Sequence, residues 1–189
     1  MESGDQILIC DLFTARLRLR QLTLSDAPTI QRIFPDWEVV KYLSDQIPWP
    51  YPEDGAIMFV EGELKRIAAG SHYTWAITLL NDPESTLIGL ISLMPHSKSD
   101  HRGFWLSRPY WGQGFMREAA DRVTEFAFET LKLAELKLAN AAANEGSRRI
   151  KLAAGAELVE TTEENFVSGR LASEKWVLTA EKWRDARKR

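Results

Sequence analysis

The sequence predicts an α/β fold of the α+β kind, a mixed, mostly antiparallel central sheet of about six or seven strands flanked by helices. Three observations carry this. Short apolar segments bounded by turn residues recur between positions 73 and 107. Amphipathic stretches of helical period lie on either side of them. No internal repeat, low-complexity tract or linker divides the chain, so residues 1–189 read as one domain.

The elements follow in order. RLRLRQL (16–22) alternates Leu17, Leu19 and Leu22 with Arg16, Arg18 and Arg20, the pattern of a strand with one buried face. Ser25 or Asp26 then caps a helix carrying Ile30, Ile33 and Phe34. In DQIPWPYPED (45–54), Pro48, Pro50 and Pro52 remove amide donors and fix the backbone, which predicts a stiff aromatic loop before a helix from about 53 to 69. YTWAITLL (73–80), LIGLISLM (87–94) and GFWLS (103–107) read as strands, with NDPES (81–85) as a hairpin turn. Over 115–131, Phe115, Ala119, Val123, Phe126, Ala127 and Leu131 share one helical face. ELKLANA (135–141) is a strand and SRRIKLAA (147–154) a short helix stopped by Gly155, followed by strands near 156–162 and 171–179.

Composition narrows the function. A chain of 189 residues, 44% hydrophobic, suits a soluble domain with a proper core, and a formal charge of -3 gives no global electrostatic case for nucleic-acid binding. Cys10 is the sole cysteine, which rules out an internal disulfide and a multi-cysteine zinc site. His72, His96 and His101 lack metal-ligand spacing, so no metal is expected. The N-terminus lacks a signal-peptide pattern, and no apolar stretch approaches the roughly 20 residues of a membrane helix. A cytoplasmic protein without membrane partners is the expectation.

RPYWGQGFMREA (108–119) places Gly112 and Gly114 between a strand and a long helix. Such a junction presents first-turn amides that lack intrahelical partners and carry the positive end of the helix dipole. Bare of side chains, they can reach a pyrophosphate; equally, the glycines can serve a tight turn alone. Arg108 and Arg117 flank the loop, and Arg148, Arg149 and Lys151 crowd the next helix, which favours a small polyanion. A Rossmann fingerprint fails for want of its third glycine, and no GxxxxGK[ST] is present.

Three stretches carry a wider likeness: TARLRLRQLTLSDA (14–27), GFWLSRPYWGQGFMREA (103–119) and NEGSRRIKLAAGA (144–156). In order and over nearly the whole length, the chain resembles GCN5-related N-acetyltransferases (GNAT), and among them the RimJ/RimL-type branch. The resemblance implies the GNAT fold and an acetyl-CoA-dependent N-acetyltransferase. The acceptor would be a primary amine, either a peptide N-terminus or a small molecule, and the enzyme a monomer or homodimer. It implies that the backbone of Trp105, Leu106 and Ser107 pairs with the pantetheine arm. The amides of Trp111, Gly112, Gln113, Gly114 and Phe115 would cradle the pyrophosphate, beside Met116. Asn144 and Ser147 would lie at the thioester end. Met116 stands where the family has glycine or alanine, and its side chain either crowds a phosphate or enters the core. Gly155-Ala156 replaces the usual Gly-Phe.

Acetyl transfer needs a neutral amine, donors aimed at the developing oxyanion, and a proton for the leaving thiolate. His101 occupies the place of the family's glutamate and is the candidate base, or else a strand-edge histidine in a polar hairpin. As base, its replacement by alanine lowers kcat by roughly 10²–10⁴-fold. Ser147 is the candidate acid, a helix cap, or both. The resemblance implies that an amide near Leu106 stabilises the oxyanion. Trp49, Tyr51 and Trp37 are candidates for an aromatic acceptor wall, or for a lid on the core. Cys10 has no histidine partner in view, which favours direct attack over a covalent intermediate. The alternatives are a non-catalytic CoA-binding sensor of the same fold and a structural anion-binding domain.

Overall fold

The computed structural model describes residues 9–188. In chain order its elements are β1 (Leu12–Phe13), β2 (Leu17–Gln21), α1 (Ala27–Ile33), α2 (Trp37–Val40), α3 (Gly55–Ala68), β3 (Tyr73–Leu79), β4 (Gly89–Leu93) and β5 (Arg102–Leu106). There follow α4 (Phe115–Glu125), β6 (Glu135–Ala141), α5 (Glu145–Ala154), β7 (Glu157–Phe166), β8 (Gly169–Thr179) and α6 (Ala180–Arg187). Every expected strand is present, and β1 is additional.

The strands form two sheets where one was expected. β1 to β5 lie side by side in sequence order, all antiparallel, and β6, β8 and β7 make a second antiparallel sheet in that spatial order. The alternation in β2 holds: Leu17 and Leu19 are fully buried, while Arg18 pairs with Asp11 at 2.7 Å. Arg20 grips the buried Asp26 at 2.6 Å, and Asp26 also accepts the Thr23 amide at 2.9 Å. The Asp26 carboxylate therefore turns back onto the strand instead of capping α1 through its side chain.

Strand alternation sends side chains into two cores. Trp75, Ile77, Ile91 and Leu93 join α4, β6 and α6 on one face, whereas Ala76 and Leu90 meet α1, α2 and α3 on the other. The expected stripe of α4 is buried at Ala119 and Val123. After Glu125 the helix widens into a five-residue π-type turn, Phe126–Thr130, closed by the Leu131 amide on the Phe126 carbonyl at 3.0 Å. Packing of Phe126 against Tyr73 and Trp75 holds this turn on the sheet.

β7 runs four residues beyond the expected strand, to Phe166, and its hairpin with β8 reaches across to the loop after α2. Phe166 bridges to Ser44, and the Val167 amide donates to the Leu43 carbonyl at 3.0 Å. None of the helices of the described residues is long and apolar enough to cross a membrane.

Candidate active site

The outer edge of β5 faces the outer edge of β6, and among the described residues the two are joined by hydrogen bonds at one end. There the His101 amide donates to the Lys137 carbonyl at 2.8 Å, and the Lys137 amide donates to His101 Nδ1 at 3.0 Å. His101 Nε2 donates to the Ser97 carbonyl at 2.8 Å, so the ring is the Nε2–H tautomer with both nitrogens spent on main chain. Burial moves its pKa below the ordinary histidine value. The neighbouring Asp100 carboxylate adds a second stitch, accepting the Ala139 amide across the split and the Arg102 amide at 3.2 Å. His101 thus pins the closed end of the cleft and does not line the cavity described below. This corrects the expectation of a histidine base, because a ring held by the Ser97 carbonyl on one side and the Lys137 amide on the other has no nitrogen left for an amine.

Ladder alternation decides which β5 groups face the split. The Ser107 amide donates to the Ile88 carbonyl at 2.9 Å and the Met94 amide to the His101 carbonyl at 2.8 Å. Within β5, Gly103 and Trp105 therefore spend their main chain on β4, and Arg102, Phe104 and Leu106 turn theirs toward the split. The Leu106 carbonyl is taken by Trp111 Nε1 at 2.6 Å, which leaves the Leu106 amide. Of the three residues expected to pair with a pantetheine arm, only Leu106 presents its main chain there; Trp105 and Ser107 do not.

The glycine loop opens at the far end of β5. Gly112 and Gly114 have φ of 73° and 81°, in the left-handed region that side chains disfavour. A Cβ on Gly112 would meet nothing within 4 Å. The amides of Gly112, Gln113, Gly114 and Phe115 have no hydrogen-bond partner among the described residues, whereas the Trp111 amide closes a turn onto Arg108 at 3.0 Å. The anion-ready set is thus one residue shorter than expected. Met116 is buried in the larger core, away from these donors.

Arg16 braces the loop from β2's entrance, a role the sequence reading missed by treating it as a solvent-facing residue. Its guanidinium donates to the Gln113 carbonyl at 3.0 Å, pairs with Glu118 at 2.7 Å and lies 4.5 Å over the Phe115 ring. Partial burial acts to raise the Glu118 pKa, but hydrogen bonds from Thr14 and Arg16 outweigh it and hold the carboxyl below its usual range. Arg16 and Arg117 line a cavity of about 540 Å³ beside Gly114. Arg149 instead points to solvent near Glu145, and Lys151 is buried, so the basic cluster expected on α5 is dispersed.

A larger cavity, about 990 Å³, lies on the other side of β5. Tyr51, Trp105 and Phe104 line it, together with Ser147, Asn144 and the hairpin residues Glu164, Asn165 and Phe166. Phe34 ties the aromatic wall together, 5.1 Å from the Tyr51 ring and 4.9 Å from that of Trp105. Burial pushes the Tyr51 phenol up to about 12. Trp37 and Trp49 instead pack on each other at 5.5 Å, both over 40% exposed, and do not line it.

Asp100 also lines this cavity, and burial lifts its carboxyl to about 6 against the pull of Lys151 and Arg102. Arg102, 4% exposed, lines both cavities; Nη1 donates to Thr124 Oγ1 at 2.9 Å, while Nε and Nη2 lack partners among the described residues. Burial lowers its pKa to about 10. On α5, Asn144 is the helix cap, its Oδ1 accepting the Ser147 amide at 3.1 Å. Ser147 is therefore not the cap. Its Oγ accepts from Lys151 Nζ at 2.7 Å.

Comparison with known proteins places this geometry. The model of the acetyltransferase (GNAT) domain matches residues 16–157. The FsC-acetyl coenzyme A-N(2)-transacetylase of Aspergillus fumigatus is 30% identical over 162 residues, 79% of this chain and 66% of that protein. The chain thus spans about two thirds of that relative's length. Among solved structures, the ribosomal-protein-S5-alanine acetyltransferase of Vibrio fischeri superposes with a TM-score of 0.76 at 17% identity, covering 92% of this chain and 98% of the other. Mycobacterium smegmatis RimJ, in complex with CoA-disulfide, gives 0.74 at 15% identity, covering 87% and 82%. Joined to the split between β5 and β6 and the bare glycine loop, the match over most of its length shows that the chain belongs to the GNAT family of acetyltransferases.

Proposed function

We propose that the protein transfers an acetyl group from acetyl-CoA to a primary amine by direct attack, without a covalent enzyme intermediate. One observation carries the reading: the amides of Gly112, Gln113, Gly114 and Phe115, just beyond the end of β5, have no hydrogen-bond partner among the described residues, while a large cavity lined by Phe104, Trp105 and Ser147 lies beside the same strand. Acetyl-CoA supplies an activated thioester. The loop amides suit its pyrophosphate, and the space beside Gly112 leaves room for it.

The chain's own groups fill the remaining roles. Asp100 takes the proton of the incoming amine, because it is the carboxyl lining the cavity whose pKa burial raises. The Leu106 amide faces the split and suits a developing negative oxygen. Ser147 hydrogen-bonds the sulfur and protonates it. Tyr51, Trp105 and Phe166 favour an amine with an apolar flank, such as a peptide N-terminus or a small aromatic or aliphatic amine.

Thiol release from acetyl-CoA across a panel of peptides and small amines tests the proposal. Release with any acceptor is the expected result. A rise in Tm with CoA but no release from the whole panel would replace it with a CoA-binding sensor. No rise at saturating acetyl-CoA would remove the cofactor as well.

A further inference from the structure

We propose that Lys151 is a positioning residue that turns the Ser147 hydroxyl toward the cavity and resupplies its proton during each turnover. The inference rests on the transfer reaction above and adds a residue to it. Lys151 is 2% exposed and lies one turn after Ser147 on α5, Nζ to Oγ 2.7 Å. An ammonium has donors only, so Ser147 must accept from it. A hydroxyl has a single hydrogen, and that hydrogen is then directed away from Lys151 into the cavity that Ser147 lines. This orientation is what protonating a departing thiolate requires.

Burying a lysine is costly unless its charge is balanced or surrendered. The charged groups facing Lys151 are Arg102 on β5, Asp100 in the turn before it, and Glu174 on β8. On its own helix, Arg148 draws Glu174 at 3.5 Å, and Asn140 on β6 donates to Glu174 at 3.1 Å. Burial, then Arg102, depress the Lys151 pKa to about 7, with Asp100 and Glu174 opposing. A lysine so placed can give up a proton near neutral pH; a solvated one holds it.

The protons balance. As the amine nitrogen bonds to the acetyl carbon, Asp100 accepts the proton the nitrogen sheds. As the carbon–sulfur bond breaks, Ser147 Oγ gives its proton to sulfur and takes one from Lys151 Nζ. The proton left on Asp100 restores the ammonium of Lys151, and the net change is one proton moved from amine to thiol.

The test joins a titration to kinetics. Lysines labelled with ¹³C at Cε are followed by NMR in the wild type, Lys151→Met and Ser147→Ala, and kcat is measured against pH. One signal, missing in Lys151→Met, should titrate well below the ordinary lysine range and shift in Ser147→Ala. Wild-type kcat should fall on the alkaline side as that lysine deprotonates. Lys151→Met should lose that limb and about 10-fold or more of kcat, since proton donation is impaired, while calorimetric CoA affinity changes little. A Lys151 signal in the ordinary range, or an alkaline limb unchanged in Lys151→Met, overturns the relay. If Lys151→Met does not fold, Lys151→Arg, which keeps the charge and cannot release it, takes its place with the same expectations. No thiol release by the wild type removes the transfer reading and the relay together; an active wild type whose limb ignores Lys151 removes the relay alone.

Discussion

The two ends of the cleft between the sheets are made of different materials. At the α4 end the groups offered to a ligand are main-chain amides, displayed by two glycines in left-handed conformation and braced from outside by Arg16 and Glu118. At the α5 end they are side chains, Asp100 and Arg102 from β5 and the turn before it, and Ser147 and Lys151 from α5, gathered into one largely buried cluster. In the proposed mechanism the first end grips the coenzyme and the second moves protons. A main-chain amide is neutral and donates unchanged at every physiological pH, whereas burial moves Asp100 up and Lys151 down toward neutrality.

The sharpest way to break this contrast is Asp100→Asn. It should lower kcat by about 10²-fold or more through loss of the base, with CoA affinity nearly unchanged. In the wild type, kcat should rise with pH as Asp100 ionises, around the value of about 6 to which burial lifts it. Stability follows the opposite course. Folded Asp100 holds a proton that the unfolded chain has lost, so wild-type stability falls as pH rises from about 3.8 to about 6. Asp100→Asn lacks that loss and should gain on the wild type across this window in urea denaturation.

Gly112→Val addresses the other end. Its left-handed φ costs a branched residue roughly 1–2 kcal/mol, and redirecting the loop amides should weaken CoA binding by about 10-fold in calorimetry, with kcat at saturation little altered. Arg16→Ala should have a smaller effect, a few-fold rise in the KM for acetyl-CoA, because it loosens the brace and leaves the donors. His101→Phe should affect the chemistry least. Loss of its main-chain bonds should cost about 1–3 kcal/mol of stability, while the shape of the pH profile stays the same. A vanished acid limb in His101→Phe, with the limb intact in Asp100→Asn, would reverse the assignment of the base.

The gripping end was legible in the sequence because its signal is local. Gly112 and Gly114, an aromatic before them and a clean helical stripe after them fix a turn whose geometry depends on few distant contacts. The proton-moving end was not. Asp100 and His101 are adjacent, and only register across to Lys137 and Ala139 decides which carboxyl or ring faces the cavity. Lys151 read as one more basic residue near a phosphate, since its burial follows from how α5 sits on β6 and β8. The one local hint was its spacing of four from Ser147, which places the two side chains on the same helix face. Trp37 and Trp49 read as acceptor wall beside Tyr51, yet Tyr51 alone of the three lines the cavity, while Trp37 at the start of α2 and Trp49 in the proline loop pack on each other outside it. The split into two sheets was equally hidden, because β5 and β6 each look like ordinary strands and the missing ladder between them is a tertiary fact.

The bridge between Ser44 and Phe166 has a consequence for how such a protein can diversify. In the proposed mechanism the roof over the acceptor is lent by the tip of the β7–β8 hairpin, whose stem has no hydrogen bond to the glycine loop among the described residues. Lengthening, shortening or recolouring that tip changes which guests are admitted and leaves the handle for the donor as it was, so new acceptors can be explored without relearning how to hold the coenzyme.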